Sequence, residues 1–447
     1  MTGPLRLQLR RSAAIAVGVG LAVLLLAMAH LMSGPWTKGD AAWSRDWTGL
    51  AEWSRYLLLF AWPLVLGAGA WQGARDSRSG VDELLSTVPV GQWRRAVPVA
   101  GALALGVVAG YLGLVVVGVV RVLAGGADFR ADWLVVALVG ALGLIAVALL
   151  GLGIGRVFPS AMTPPIAAVA GLAAQVAMVW QSSTSGAALV FSPAAGGGGV
   201  SVFTQVAARV SVAQVVWFSM VALSGLLLFA LASRSRLLAV VPVAVGVLSV
   251  VLVAPPGSAV HVADTRALAV TCSDDTPRLC LTEAHEDRRA ALTEPARRAV
   301  AALAVLPGAP TSVVEHPTAL DLPRRPVAPD AVAVDLSDPA FRDGTPEDLF
   351  TAMIAGAGTP VCSTVDTPYD RVRREVAART VTVGWFTGEL GPLPGYDYLW
   401  KDSRPLVDKA WGQLSALPRE RQVEQVAAVR AAALRCDSDL LAVLEER

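Results

Sequence analysis

The sequence predicts a mainly α-helical, polytopic membrane protein of about seven transmembrane helices with a C-terminal α+β extracytoplasmic domain. Three observations carry that prediction. Apolar residues make up 54% of the 447 residues and charged residues 16%, with a mean hydropathy of +0.55, whereas soluble domains hold about 25% charged residues. The shortfall is localised: residues 13–254 are a succession of apolar runs, while 255–447 reads as ordinary globular sequence. All four cysteines lie in that second region. The chain therefore divides into a transmembrane domain, 1–254, and an extracytoplasmic domain, 255–447.

A helix crosses the hydrocarbon core in about 20 apolar residues. Seven stretches meet or approach that length, at 13–31, 56–71, 97–120, 133–153, 166–180, 215–232 and 237–254. The first has a basic start, an apolar core and Ala27-Met28-Ala29, the marks of a signal peptide. Its apolar run continues through Leu31 and Met32, which favours an uncleaved span. The sixth and seventh are separated only by Ser233-Arg234-Ser235-Arg236, a tight helical hairpin. His30 and Arg121 are expected at span ends, where long side chains reach the interface.

Arginine placement sets the orientation, because positive charge is retained in the cytoplasm. Arg6, Arg10 and Arg11 precede the first span; Arg75, Arg78, Arg94 and Arg95 lie between the second and third; Arg156 follows the fourth; Arg234 and Arg236 follow the sixth. These segments alternate, so all face the cytoplasm if the N-terminus does, and a seventh span delivers the C-terminal region outside the plasma membrane. The cysteines are an independent test. An even number confined to Cys272, Cys280, Cys362 and Cys436 is what an oxidising compartment permits. Four cysteines allow three pairings; proximity favours Cys272 with Cys280, leaving Cys362 for Cys436. Buried free thiols are the alternative, and no Cys-x-x-Cys spacing points to zinc.

The first outer loop holds Trp36, Trp43, Trp47 and Trp53. Trp43, Trp47 and Leu50 recur at helical spacing, which fits either an amphipathic helix in the membrane interface or a simple aromatic belt. Between the second and third spans, Val81, Leu84, Leu85 and Val88 share one helical face, with Asp82 and Glu83 in the first turn, where the helix dipole favours them. Pro89 stops this short helix, which is expected on the cytoplasmic surface of the membrane.

The Gly-x-x-Glu-Leu-Leu-x-Thr-x-Pro stretch formed by Gly80, Glu83, Leu84, Leu85, Thr87 and Pro89, followed by Arg94, resembles the intracellular loop of ABC-2 type transporter permeases. In that family the loop is a coupling helix that docks on the ATP-hydrolysing subunit. The resemblance covers residues 1–236 and extends to the segment between the fifth and sixth spans. There Gly186–Phe191 is apolar, Pro193 breaks it and Gly196–Gly199 is flexible, fitting short re-entrant helices or a glycine-rich surface loop. Two features depart from the family: a seventh span, and a basic segment before the first span too short for a long interfacial helix. Actinobacterial permease-like proteins with an appended cysteine-containing exterior domain look similar overall.

In the exterior domain, Ala259–Cys280 with Thr276-Pro277 at its turn predicts a small hairpin. Helical patterns follow from Thr282 to Leu306 with a break at Pro295, and near Pro346–Ala357, Tyr369–Ala378, Pro405–Leu417 and Arg419–Glu446; Val332–Leu336 reads as a strand. Glu283, His285, Glu286 and Asp287 form a polar cluster typical of a solvated helix face. No zinc-protease motif, nucleophile elbow or phosphate-binding loop is present, so neither catalytic residues nor a metal or cofactor is expected. A net charge of +1 without a basic stripe gives no sign of nucleic-acid binding. The expectation is a non-enzymatic permease subunit of an exporter. It would sit in the bilayer as a homodimer or heterodimer of permeases and be driven by a separate cytoplasmic ATP-binding subunit. A non-transporting membrane sensor or scaffold is the alternative.

Overall fold

The computed structural model describes residues 8–9, 12–31, 47–80, 91–124, 129, 131, 133–181, 186–194, 202–253, 260–317, 326–336, 338–342, 344–364, 367–436 and 438–445. The chain separates into two compact units, Met1–Val262 and Ala263–Arg447, each with its own core. The last apolar helix stops at Val253, yet the chain beyond it still belongs to the first unit. Val260 is buried and its carbonyl accepts from Ala207 N–H at 2.9 Å.

The helices of the first unit are α1 (Ala14–Leu31), α2 (Trp47–Tyr56), α3 (Leu58–Arg78), α4 (Gln92–Ala124), α5 (Trp133–Val157), α6 (Thr163–Gln181), α7 (Gly186–Phe191), α8 (Ala208–Ala230) and α9 (Val240–Val253). A 3₁₀ turn, Ser233–Ala239, links α8 to α9. Among the described residues six helices are long and apolar enough to cross a membrane, and a seventh is reached if the bent pair Gly49–Tyr56 and Leu58–Arg78 is one span. That pair bends by 47° at Leu57, ahead of Pro63 rather than at it. Large apolar side chains such as Ile15, Val116, Leu138, Val169 and Val251 are exposed, while the interior is rich in Ala and Gly. That inside-out distribution is the one expected when lipid solvates the surface and small residues let helices pack closely.

Close backbone approaches fix the relative directions of these helices. A methyl on Gly73 of α3 would lie 2.0 Å from the Leu152 carbonyl oxygen of α5, and one on Gly69 would lie 2.3 Å from that of Ala148, so α3 and α5 run parallel. Gly106 and Gly110 of α4 meet Ala14 and Gly18 of α1 in the same sense. Gly225 of α8 meets Leu149 of α5, whereas Phe218 lies near Gly143; these two also run parallel. Gly67 faces Pro164 while Gly171 faces Pro63, so α6 opposes α3. Taken in chain order, α1, α3, α4, α5, α6, α8 and α9 alternate up and down.

In the second unit a four-stranded sheet has the order β1 (Val270–Cys272), β2 (Arg278–Thr282), β3 (Ser312–Glu315) and β4 (Ala331–Val334). β1 is antiparallel to β2, with Cys272 opposite Cys280; β2, β3 and β4 are parallel. Parallel strands are buried on both faces and lose the polar alternation: β4 is wholly buried, as is β2 after Arg278. The helices are α10 (Arg289–Leu303), α11 (Pro339–Arg342), α12 (Pro346–Ile354), α13 (Tyr369–Thr387), α14 (Asp397–Ser415), α15 (Arg419–Arg435) and α16 (Leu440–Glu445). The expected break at Pro295 is not there. α10 runs through it, and the kink falls at His285 (φ −120°, ψ 17°) in the preceding 3₁₀ turn.

α12 begins with a capping box, in which Thr345 and Asp348 satisfy each other's backbone N–H groups. After α12 the chain turns through three left-handed residues, Gly356 (φ 60°), Ala357 (φ 57°) and Gly358 (φ 82°). Carbonyls buried outside regular structure need donors, and two buried arginines supply them. Arg379 donates to the carbonyls of Thr359 (2.7 Å), Pro360 (3.0 Å) and Ala355 (3.3 Å). Arg430 donates to those of Ala357, Ala331 (2.8 Å) and Pro329 (2.9 Å), and burial pulls its guanidinium below the ordinary arginine value. All four cysteines are oxidised, Cys272 to Cys280 and Cys362 to Cys436, with Cα separations of 4.0 and 5.4 Å.

Candidate functional site

The helix directions collect seven of the described arginines at one end of the first unit, while Arg55, Arg121 and Arg209 lie toward the other. Arg75 and Arg78 end α3, Arg94 and Arg95 open α4, and Arg156 ends α5; Arg234 and Arg236 sit in the turn between α8 and α9. Arg156 Nη1 donates to Ser77 Oγ at 3.0 Å, tying the ends of α5 and α3 together. The predicted loop helix leaves from this end. Gly80 closes α3 with φ 70°, Arg94 is exposed in the first turn of α4, and Trp93 beside it is 43% exposed. Asp82, Glu83, Leu84, Leu85, Thr87 and Pro89 lie outside the described residues.

The opposite end holds a polar cluster that the sequence did not disclose. Arg55, on α2, is completely buried. Its Nε donates to the Pro193 carbonyl at 2.8 Å and its Nη2 to Gln214 Oε1 at 3.0 Å. Gln214 Nε2 in turn donates to the carbonyls of Leu189 (3.3 Å) and Ser192 (3.2 Å). Ser192 Oγ donates to Gln175 Oε1 on α6 at 2.8 Å. Next to Arg55, Ser54 Oγ and Tyr111 Oη share a hydrogen bond of 3.0 Å, both buried. The cluster exists because α7 ends inside the helical bundle. Its terminal carbonyls have no intrahelical donors, water is scarce there, and side chains from α2 and α8 replace it. Of the two readings open for this stretch, short helix or surface loop, Gly186–Phe191 forms a helix, and Pro193 lies just beyond its end.

Of the tryptophan stripe, readable as an interfacial amphipathic helix or as an aromatic belt, the described part packs within the first unit. Trp47 is buried, stacked on Trp133 with centroids 5.4 Å apart and edge-on to Phe129 at 5.5 Å; Leu50 is buried against Gly118. The apolar face of α2 is thus spent on α4 and α5. Trp53 is half-buried and meets Tyr56 edge-on at 5.1 Å, whereas Trp36 and Trp43 lie outside the described residues. His30 and Arg121 come together at 3.3 Å near the ends of α1 and α4.

In the second unit the polar cluster around His285 disperses. Glu283 pairs with Arg266, while Glu286 takes Arg289 and the Thr271 hydroxyl. The Arg289 hydrogen bond, aided by Thr271, holds the Glu286 carboxyl below the usual glutamate value. His285 Nδ1 instead meets the buried Glu315 carboxylate at 2.5 Å, which also accepts from Thr282 N–H and Oγ. A cleft of about 620 Å³ adjoins the Cys362–Cys436 bridge, lined by Ser363, Arg371, Arg374, Glu375 and Asp439. Two of its acidic groups are already engaged: Asp439 pairs with Arg374, and Glu375 accepts from Cys362 N–H and Ser363. Among the described residues no three His, Cys, Asp or Glu side chains are grouped to hold a metal ion.

No family model, curated protein or solved structure matches this chain.

Proposed function

We propose that this chain is the membrane-spanning permease subunit of an ABC-type exporter, driven by ATP hydrolysis on a separate cytoplasmic subunit. The observation that carries the reading is the place of the 80–94 segment. It joins α3 to α4 at the end of the bundle where arginines from three inter-helix segments gather. Positive charge at one end is the cytoplasmic signature, and the Glu83-Leu84-Leu85-x-Thr87-x-Pro89 sequence supplies an apolar knob between charges for a soluble partner to grip. The N-terminus is then cytoplasmic and the disulfide-bonded second unit extracytoplasmic, which agrees with its two bridges. Two such subunits, identical or related, would enclose the path, since the apolar faces of α1, α6 and α9 are largely unburied within one chain.

Purification of the full chain in mild detergent, with and without Glu83→Arg and Leu84→Asp combined, tests the reading. An ATPase should accompany the wild type and be lost from the double variant, with ATP hydrolysis in the eluate falling in parallel. Folded wild-type protein that repeatedly brings down no ATPase would replace the transporter by a sensor or scaffold.

A further inference from the structure

Ser192 is gripped from two helices by two glutamines, and only one of them is satisfied. Gln214 on α8 accepts from Arg55 and donates to the carbonyls of Leu189 and Ser192. Gln175 on α6 accepts from Ser192 Oγ, but its Nε2 has no acceptor although the residue is 0% exposed. Turning the Gln175 carboxamide over would only change which atom is orphaned. A buried, unpaired amide is unfavourable, and such a group calls for an explanation. The acceptor nearest in the chain to the Ser192 hydroxyl that Gln175 already holds is the Ser192 carbonyl. Gln214 reaches that carbonyl at 3.2 Å and Leu189 at 3.3 Å, longer than the usual 2.9–3.0 Å for such bonds, so releasing one forfeits little.

We propose that Ser192 is a two-position latch. In the position seen, its carbonyl is held by Gln214 on α8. In the second it passes to Gln175 Nε2, carrying the end of α7 toward α6 and satisfying the orphaned amide. Arg55 holds both Pro193 and Gln214 and so biases the latch toward the first position. Two discrete hydrogen-bond arrangements of one packed element are what a conformational switch requires, whatever the protein moves or senses.

The test is side-chain NMR on the full chain, deuterated and selectively ¹⁵N-labelled at glutamine, in detergent. The two amide resonances are assigned by Gln175→Met and Gln214→Met. Wild type should show microsecond-to-millisecond exchange at both amides with one common rate. Gln175→Met should abolish the exchange at Gln214, and Arg55→Lys should raise the population of the minor state. Static amides in the wild type, which needs no variant to fold, would overturn the latch. So would exchange at Gln214 that persists in Gln175→Met, or a long-lived water cross-peak showing the Gln175 amide permanently hydrated.

Discussion

A guanidinium inside a helical bundle is tolerated only when its N–H groups meet acceptors, because neither lipid nor apolar side chains can replace water. Arg55 does so at Nε and Nη2, which donate to Pro193 and Gln214, and those acceptors lose their donor if Arg55 is removed. Arg55→Met should therefore destabilise the first unit by about 1–3 kcal/mol for each acceptor left unpaired, read as a fall in the thermal midpoint of the detergent-solubilised chain; an unchanged midpoint would mean Arg55 is no structural tie. In the second unit, Tyr396 donates to Asp338 at 2.9 Å. Burial first, and then the neighbouring carboxylate, push its phenol far above the ordinary 10.0. The folded chain keeps this proton where the unfolded chain releases it. The associated stability is complete below pH 10 and declines as pH rises beyond it. Tyr396→Phe cannot ionise in either state, so denaturant titrations between pH 9 and 11 should show a shallower alkaline decline than wild type.

Helix packing makes the matching predictions for whole elements. Gly73 lets α3 lie against the backbone of α5, and a methyl there would sit 2.0 Å from a carbonyl oxygen; Gly20 of α1 has open space around its Cβ position. Gly73→Ala should cost about 1–3 kcal/mol through forced separation of the helices. Gly20→Ala should be neutral or slightly stabilising, a contrast that thermal unfolding of the two variants would display. The apolar helices were legible because length and hydropathy alone define a span, and their ends fall within about five residues of those expected except at α3, which runs on to Arg78, and α8, which starts at Ala208 rather than 215. Elements set by tertiary context were less so. α14 was expected to start at Pro405, yet it starts at Asp397. Leu399, Ser403, Val407, Ala410 and Leu414 form one buried stripe whose packing outweighs the hydrogen bond that proline cannot make. β3 escaped because four residues, Ser312–Glu315, are too few to show a period, and its burial comes from parallel partners on both sides.

At the scale of the molecule, two units of different chemistry are joined in one chain. The bridges staple the second unit unequally. Their separations of 8 and 74 residues correspond, on the loop-entropy model, to about 2.6 and about 4.5 kcal/mol. Replacing Cys362 and Cys436 by serine should lower the stability of this unit more than replacing Cys272 and Cys280, by comparison of denaturant midpoints. The candidate site was legible only in part. The arginine pattern and the Gly80–Arg94 motif are local in sequence, whereas Arg55 reads as one more charge in a tryptophan-rich loop. Its burial depends on Pro193 and Gln214, 138 and 159 residues away, a pairing that no local pattern encodes. Everything proposed for function rests on the arginine end facing the cytoplasm, and membrane-impermeant maleimide labelling of intact cells tests that most directly. Since all four native cysteines are oxidised, single cysteines can be placed at Gln92, in the first turn of α4, and at the exposed Lys401 of α14. Lys401→Cys should label in intact cells and Gln92→Cys only after lysis; the reverse pattern would place the motif outside and contradict the permease.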